Sequence, residues 1–136
     1  MNYQSKALRS LEGRKMPRIL VVDDSEFMRR VLRNILEGGG HKVLEARNAD
    51  EALRIFKGEG ADIITMDIVM PETDGIETVK RLKDADENVK IIMISALGHQ
   101  KTVMRALEAG ALDFIMKPFT ADDVLESVNA VLHIRT

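Results

Sequence analysis

In Ile63-Ile64-Thr65-Met66-Asp67 an apolar run breaks abruptly onto a carboxylate, and Ile68-Val69-Met70-Pro71-Glu72-Thr73-Asp74-Gly75 follows. Four to eight apolar residues bounded by turn signals form a buried strand. Pro71 and Asp74-Gly75 are such signals. Asp67 then stands at the C-terminal mouth of a central strand, the edge where open parallel α/β sheets bind ligands. A carboxylate there is a helix cap, a metal ligand or a nucleophile, and the other strand ends must separate these options.

The neighbouring stretches supply those ends. On the N-terminal side, Arg18-Ile19-Leu20-Val21-Val22 is a β-branched run that stops on Asp23-Asp24-Ser25. Phe27, Met28, Val31, Leu32, Ile35 and Leu36 then recur at helical spacing, with Asp24 or Ser25 as cap. Gly38-Gly39-Gly40 ends that helix by offering positive φ. Lys42-Val43-Leu44-Glu45-Ala46 is a less apolar strand suited to a sheet edge, and Asn48 caps a helix with Ala52, Leu53, Ile55 and Phe56 inward. Beyond the central strand, taken as residues 62–66, a helix is predicted from Gly75 to about Asp84. A fourth strand is expected at 89–94, ending on Ser95-Ala96. A helix from near His99 to Ala109 turns Val103, Met104 and Leu107 inward. A fifth strand at 111–116 ends on Lys117-Pro118, and a last helix from Thr120 aligns Val124, Leu125, Val128, Val131 and Leu132.

Near-continuous apolar strands alternating with amphipathic helices require a parallel sheet covered on both faces. The expected fold is α/β: a doubly wound (βα)5 sheet of order 2-1-3-4-5, with right-handed crossovers. The 136 residues fit one domain, expected over 17–134 after a flexible extension at 1–16. Formal net charge is −2. Lys6, Arg9, Arg14 and Lys15 against Glu12 make the first 17 residues +3, leaving −5 on the body. That balance gives no pull toward nucleic acid. Cysteine is absent, which excludes a disulfide framework or thiolate metal site and fits a reducing compartment. No apolar run approaches the ~20 residues of a membrane span, and the first residues lack a signal-peptide core. The expectation is a soluble cytoplasmic protein. His41, His99 and His133 are read as surface residues, and the eight methionines as core filler.

The fold gathers Asp23, Asp24, Asp67, Ser95 and Lys117 at one sheet edge. At ~4 Å and an effective dielectric of 20, each pair of carboxylates repels by about 4 kcal/mol. Unless one stays protonated, a cation should neutralise them. Oxygen donors without His or Cys suit a hard ion, Mg²⁺ or Mn²⁺. Mg²⁺ held by few carboxylates keeps positions open for a phosphoryl oxygen. Lys117 can pair with another such oxygen, and Ser95 can donate to a further one. The assembly suits phosphoryl transfer onto Asp67. Nucleotide readings are weaker, since Asp23-Asp24 stands where a dinucleotide or P-loop protein has glycines. A haloacid-dehalogenase-type phosphatase would have a second Asp at the position of Val69, and a flavodoxin a hydroxyl-rich loop after the first strand.

Val21-Val22-Asp23-Asp24-Ser25, Met66-Asp67 through Asp74-Gly75, Ser95-Ala96 and Lys117-Pro118-Phe119 together resemble the receiver domain of two-component response regulators. Phe27-Met28-Arg29, Asp74-Gly75-Ile76 and Ser95 to Gln100 look most like stand-alone chemotaxis receivers of the CheY type. The resemblance implies Asp67 as phosphoacceptor. It implies Asp23, Asp24, Asp67 and the carbonyl of Val69 as Mg²⁺ ligands, Ser95 and Lys117 as phosphoryl contacts, and Ser95 and Phe114 as the switch pair. It implies a histidine kinase of the CheA type as donor and a flagellar motor switch protein as target, with an auxiliary phosphatase as a further partner. Activity would be limited to the protein's own phosphorylation and dephosphorylation. The alternative is a phosphorelay intermediate that hands the phosphoryl group to a phosphotransfer protein. A receiver working by interaction alone is disfavoured by the intact Asp67, Lys117 and acidic pair. Val69 and Leu97 are apolar where some receivers carry water-orienting groups, and Phe114 lacks a tyrosine hydroxyl. The surface around Ala106, Lys117 and Phe119 is the expected output face.

Overall fold

The computed structural model describes residues 16–70, 73–96 and 98–134. Five strands form one parallel sheet: β1 (Arg18–Val22), β2 (Lys42–Ala46), β3 (Ile63–Met66), β4 (Ile91–Ser95) and β5 (Asp113–Met116). The helices are α1 (Glu26–Gly38), α2 (Ala49–Glu59), α3 (Gly75–Ala85), α4 (Gln100–Ala109) and α5 (Ala121–Leu132). The strand order is β2-β1-β3-β4-β5, the expected doubly wound arrangement. β1 lies beside β3 with Ile19 opposite Ile63 and Val22 opposite Met66, so both strands end level and project their next residues together. One detail was not anticipated: Val69–Met70 and Thr73–Asp74 pair as a two-residue antiparallel ladder after β3.

Side chains alternate along each strand, so the sheet divides two apolar cores. Leu20, Val22, Ile64, Met66 and Met93 face Ala52 of α2, Val79 and Leu82 of α3 and Ala106 of α4. Ile19, Val21, Ile63, Ile92 and Ile94 face Leu32 and Leu36 of α1 and Val124, Val128 and Val131 of α5. Four of the five helix starts are fixed by side-chain caps, and α4, preceded by His99, has none. Ser25, Asn48 and Asp74 accept the amides of Met28, Glu51 and Ile76, and Thr120 and Asp123 form a reciprocal capping box.

Several sequence expectations are corrected. Phe27 does not join the inner stripe of α1: it is 73% exposed, because the first turn of α1 lies beyond the strand ends. Arg29 occupies the stripe with Leu32 and Leu36 instead. In α4, Met104 and Leu107 are exposed and Ala106 is the buried residue, since a small side chain suits the close approach to the sheet. Ala106 therefore cannot belong to an exposed output face. His41 is buried, not at the surface, and Gly39 makes room beside it: a Cβ there would meet Leu125 Cδ2 at 2.5 Å and His41 Cδ2 at 3.5 Å. Of the three-glycine run only Gly40 has positive φ. The extension at 1–16 falls, except for Met16, outside the described residues. Among the described residues no helix is long and apolar enough to cross a membrane.

Candidate functional site

The chain leaves β1 onto Asp23, whose backbone is tied at both ends. Its N–H donates to Ala46 O at 3.1 Å, and its carbonyl accepts from Arg29 Nη1 at 2.7 Å. The Ser25 amide donates to Asp23 Oδ1 at 2.9 Å, turning that carboxylate back over the strand end. Asp67 follows β3 directly, its N–H donating to Val22 O at 3.2 Å and its Oδ1 accepting from Val69 N at 3.1 Å. Gly75 at the start of α3 lies so close that a Cβ would stand 2.5 Å from Asp67 O and 2.6 Å from Ile68 Cα. Lys117 leaves β5 with its N–H on Ser95 O at 3.0 Å and a cis peptide to Pro118. Its ammonium donates to Asp67 Oδ2 at 3.0 Å and lies 3.4 Å from Asp23 Oδ2.

Asp23 is 3% exposed and Asp67 8%, while Asp24 lies open to solvent. One carboxylate oxygen from each of the three falls within 4.8 Å of the others. Burial raises the pKa of Asp23, the field of Asp67 adds to the rise, and the Ser25 amide and Lys117 only partly oppose it. For Lys117, burial disfavours the charge, but the hydrogen bond to Asp67 and the fields of Asp23 and Asp67 outweigh it, so its pKa is raised. Asp23 and Asp67 thus share the Lys117 ammonium, and the exposed Asp24 carboxylate lies beside them. Oxygen-only donors this close together fit a hard divalent cation such as Mg²⁺.

Of the residues expected at this edge, Asp23, Asp24, Asp67 and Lys117 are brought together. Ser95 is buried at the end of β4, one strand away from Asp67. Phe114 is half-buried and packs against the core beneath α2, α3 and α4. The Val69 side chain is exposed. Pro71, Glu72 and Leu97 lie outside the described residues. Sequence reading missed Arg29, Glu45 and Arg33. Arg29 Nε donates to Glu45 Oε1 at 3.0 Å and Arg33 Nε to Glu45 Oε2 at 2.7 Å, joining α1 to the edge strand. The available signal was a charged residue at position 29 on the same helical stripe as Leu32 and Leu36.

The model of the response regulator receiver domain matches residues 19–129. The chain belongs to the response regulator receiver family. This receiver is 49% identical over 117 residues to the chemotaxis protein CheY of Bacillus subtilis, covering 85% of this chain and 98% of that one. It is 47% identical to CheY of Thermotoga maritima, over 84% of this chain and 96% of the other. It is 34% identical to the sporulation initiation phosphotransferase F of Bacillus subtilis, over 88% and 96%. Among solved structures, the CheX–CheY–BeF3–Mg complex of Borrelia burgdorferi aligns with a TM-score of 0.84 at 34% identity, covering 98% of this receiver and 96% of that chain. The receiver of a two-component system is thus the setting in which the acidic cluster and Lys117 are to be understood.

Proposed function

We propose that this receiver is a diffusible switch phosphorylated on Asp67 by a histidine kinase. The observation that carries the reading is the Asp67 carboxylate, held 3.0 Å from the Lys117 ammonium within the three-carboxylate cluster. Asp67 attacks the phosphorus of a phosphohistidine, the P–N bond breaks, and the departing imidazole recovers a proton from solvent. Lys117 stays paired with the acidic pocket and meets one phosphoryl oxygen as charge builds there. The Ser95 hydroxyl donates to another once the phosphoryl group is in place. Asp23, Asp24, Asp67 and the Val69 carbonyl would hold Mg²⁺, with Mn²⁺ as a substitute. When bound, such an ion neutralises charge on the transferring group.

Likeness to CheY proteins supports chemotaxis as the pathway, a CheA-type kinase as donor and the flagellar motor switch as target. The complex of CheX with CheY supports a further protein partner that docks on the receiver, and an auxiliary phosphatase is the partner proposed. Similarity to a phosphotransferase favours a second reading, in which the phosphoryl group moves on to a phosphotransfer protein. Residues 17–134 act as the signalling unit in the cytoplasm. Acetyl phosphate with Mg²⁺ should label the protein once, and Asp67→Asn, which keeps the shape and removes the nucleophile, should abolish labelling. Stable incorporation in that variant would refute Asp67 as the acceptor. Phosphotransfer profiling against kinases and phosphotransfer proteins separates the two pathways.

A further inference from the structure

Arg29 is a buried cation that phosphoryl chemistry at Asp67 leaves unused. It is 8% exposed, on a helical stripe otherwise made of leucines. A guanidinium there loses its hydration and must be fully paired to persist, whereas an apolar side chain would fill the stripe at no such cost. Its fork points in two directions. Nε is anchored on Glu45 of β2 at 3.0 Å, and Glu45 is gripped from its other oxygen by Arg33 at 2.7 Å. Nη1 reaches the carbonyl of Asp23 at 2.7 Å.

That carbonyl belongs to the peptide joining Asp23 to Asp24. Asp23 is held independently by Ala46 O, Ser25 N and Lys117. Asp24 is different: it is exposed, and among the described residues no hydrogen bond or ion pair holds its carboxylate. Asp24 sits between two peptides: the one after it is held by the Ser25 amide on Asp23 Oδ1 at 2.9 Å, and the one before it by Arg29 on the Asp23 carbonyl at 2.7 Å, the one side-chain cation among these holds. The guanidinium is paired with Glu45 at 3.0 Å, and its contact with the pocket is the hydrogen bond to the Asp23 carbonyl, through which it acts on the geometry there.

We propose that Arg29, anchored through Glu45, is a positioning residue that fixes the Asp23–Asp24 peptide and so places the Asp24 carboxylate for a divalent cation. This rests on the reading of the acidic cluster as a Mg²⁺ site. The full chain and its variants Arg29→Ala, Arg29→Met, Arg29→Lys and Arg33→Ala are to be titrated with Mg²⁺ by calorimetry, each beside its thermal melt. Arg29→Ala should weaken Mg²⁺ binding about tenfold, the size seen when outer partners of metal ligands are removed. Arg29→Lys should recover part of the loss. Arg33→Ala cuts the same ion-pair network without touching Asp23, so it should lower the melting temperature and leave Mg²⁺ affinity unchanged. In the metal-free protein, Arg29→Ala should shift the Asp23 carbonyl and Asp24 amide resonances, and Arg33→Ala should not.

Unchanged Mg²⁺ affinity in Arg29→Ala overturns the proposal. So do equal losses in Arg29→Ala and Arg33→Ala, which would make the effect one of stability alone. Should Arg29→Ala not fold, Arg29→Met, whose apolar chain suits the leucine stripe but offers no donor, tests the same tether, and unaltered Mg²⁺ affinity there is equally fatal. Absence of Mg²⁺ binding in the unaltered chain would refute the metal reading itself, a result distinct from failure of the tether.

Discussion

Val69 stands two residues after Asp67, its side chain 54% exposed and its amide committed to Asp67 Oδ1 at 3.1 Å. Hydrolysis of a phosphoaspartate needs a water in line with phosphorus, and an isopropyl group offers that water no hydrogen bond. Val69→Asn should therefore shorten the phosphate lifetime, read from the decay of labelled protein after the donor is removed. An unchanged lifetime would mean that water access is set elsewhere. Leu97, the other apolar residue expected to matter here, lies outside the described residues. At this scale Asp23, Asp67 and Lys117 were legible because each directly follows an apolar run, and Asp24 because it adjoins Asp23. Arg29 was not, because a charge within a helix reads as solvent-facing until its partner is known. Its partner Glu45 lies 16 residues away on another element. His41 was misread for a related reason: its burial depends on Gly39 letting α5 approach, which local sequence does not express.

At the scale of elements, α3 is docked onto the residues that follow β3. Gly75 N–H donates to Ile68 O at 2.9 Å, and Asp74 caps the helix through the Ile76 amide at 2.8 Å. A methyl group at position 75 would meet backbone atoms of Asp67 and Ile68, which cannot swing aside as a flexible side chain can. Gly75→Ala should cost about 1–3 kcal/mol of stability, the usual penalty of overpacking, measured by denaturant melts. It should also lower Mg²⁺ affinity, because the displaced atoms carry Asp67. The existence and order of all ten major elements were legible from apolar runs and caps. Their faces were less so. The periodicity of α4 marks Met104 and Leu107 as apolar, yet only tertiary packing tells that Ala106 is the contact. The short ladder after β3 escaped notice because two-residue strands leave no periodic trace.

Over the whole molecule, acidification should act in two stages. Burial lowers the pKa of His41, so the stability it contributes is present above its unfolded value of 6.5 and lost as pH falls through the folded one. For Glu45, burial opposes the charge, but hydrogen bonds from Arg33 and Arg29 prevail and lower the pKa. Its contribution is present above 4.5 and lost on further acidification. His41→Gln should flatten the dependence of melting temperature on pH just below 6.5, and Glu45→Gln the part below 4.5. Curves unaltered in both variants would contradict these origins. The sheet also keeps its two cores apart. Ser95 lies two residues after Met93 on the same face of β4, and Phe114 packs against that core, so the two residues expected to form the switch both lie on the side of α2, α3 and α4. The apolar residues beneath α1 and α5 form a separate core cluster on the other face of the sheet. With beryllofluoride as phosphoryl mimic, hydrogen exchange should change in α4 and β5 while the interior amides of α1 and the far end of α5 keep their rates. Comparable changes in both layers would exclude such a division. With the division intact, the molecule behaves as a keel with one movable plank: half of it holds course while the other half moves.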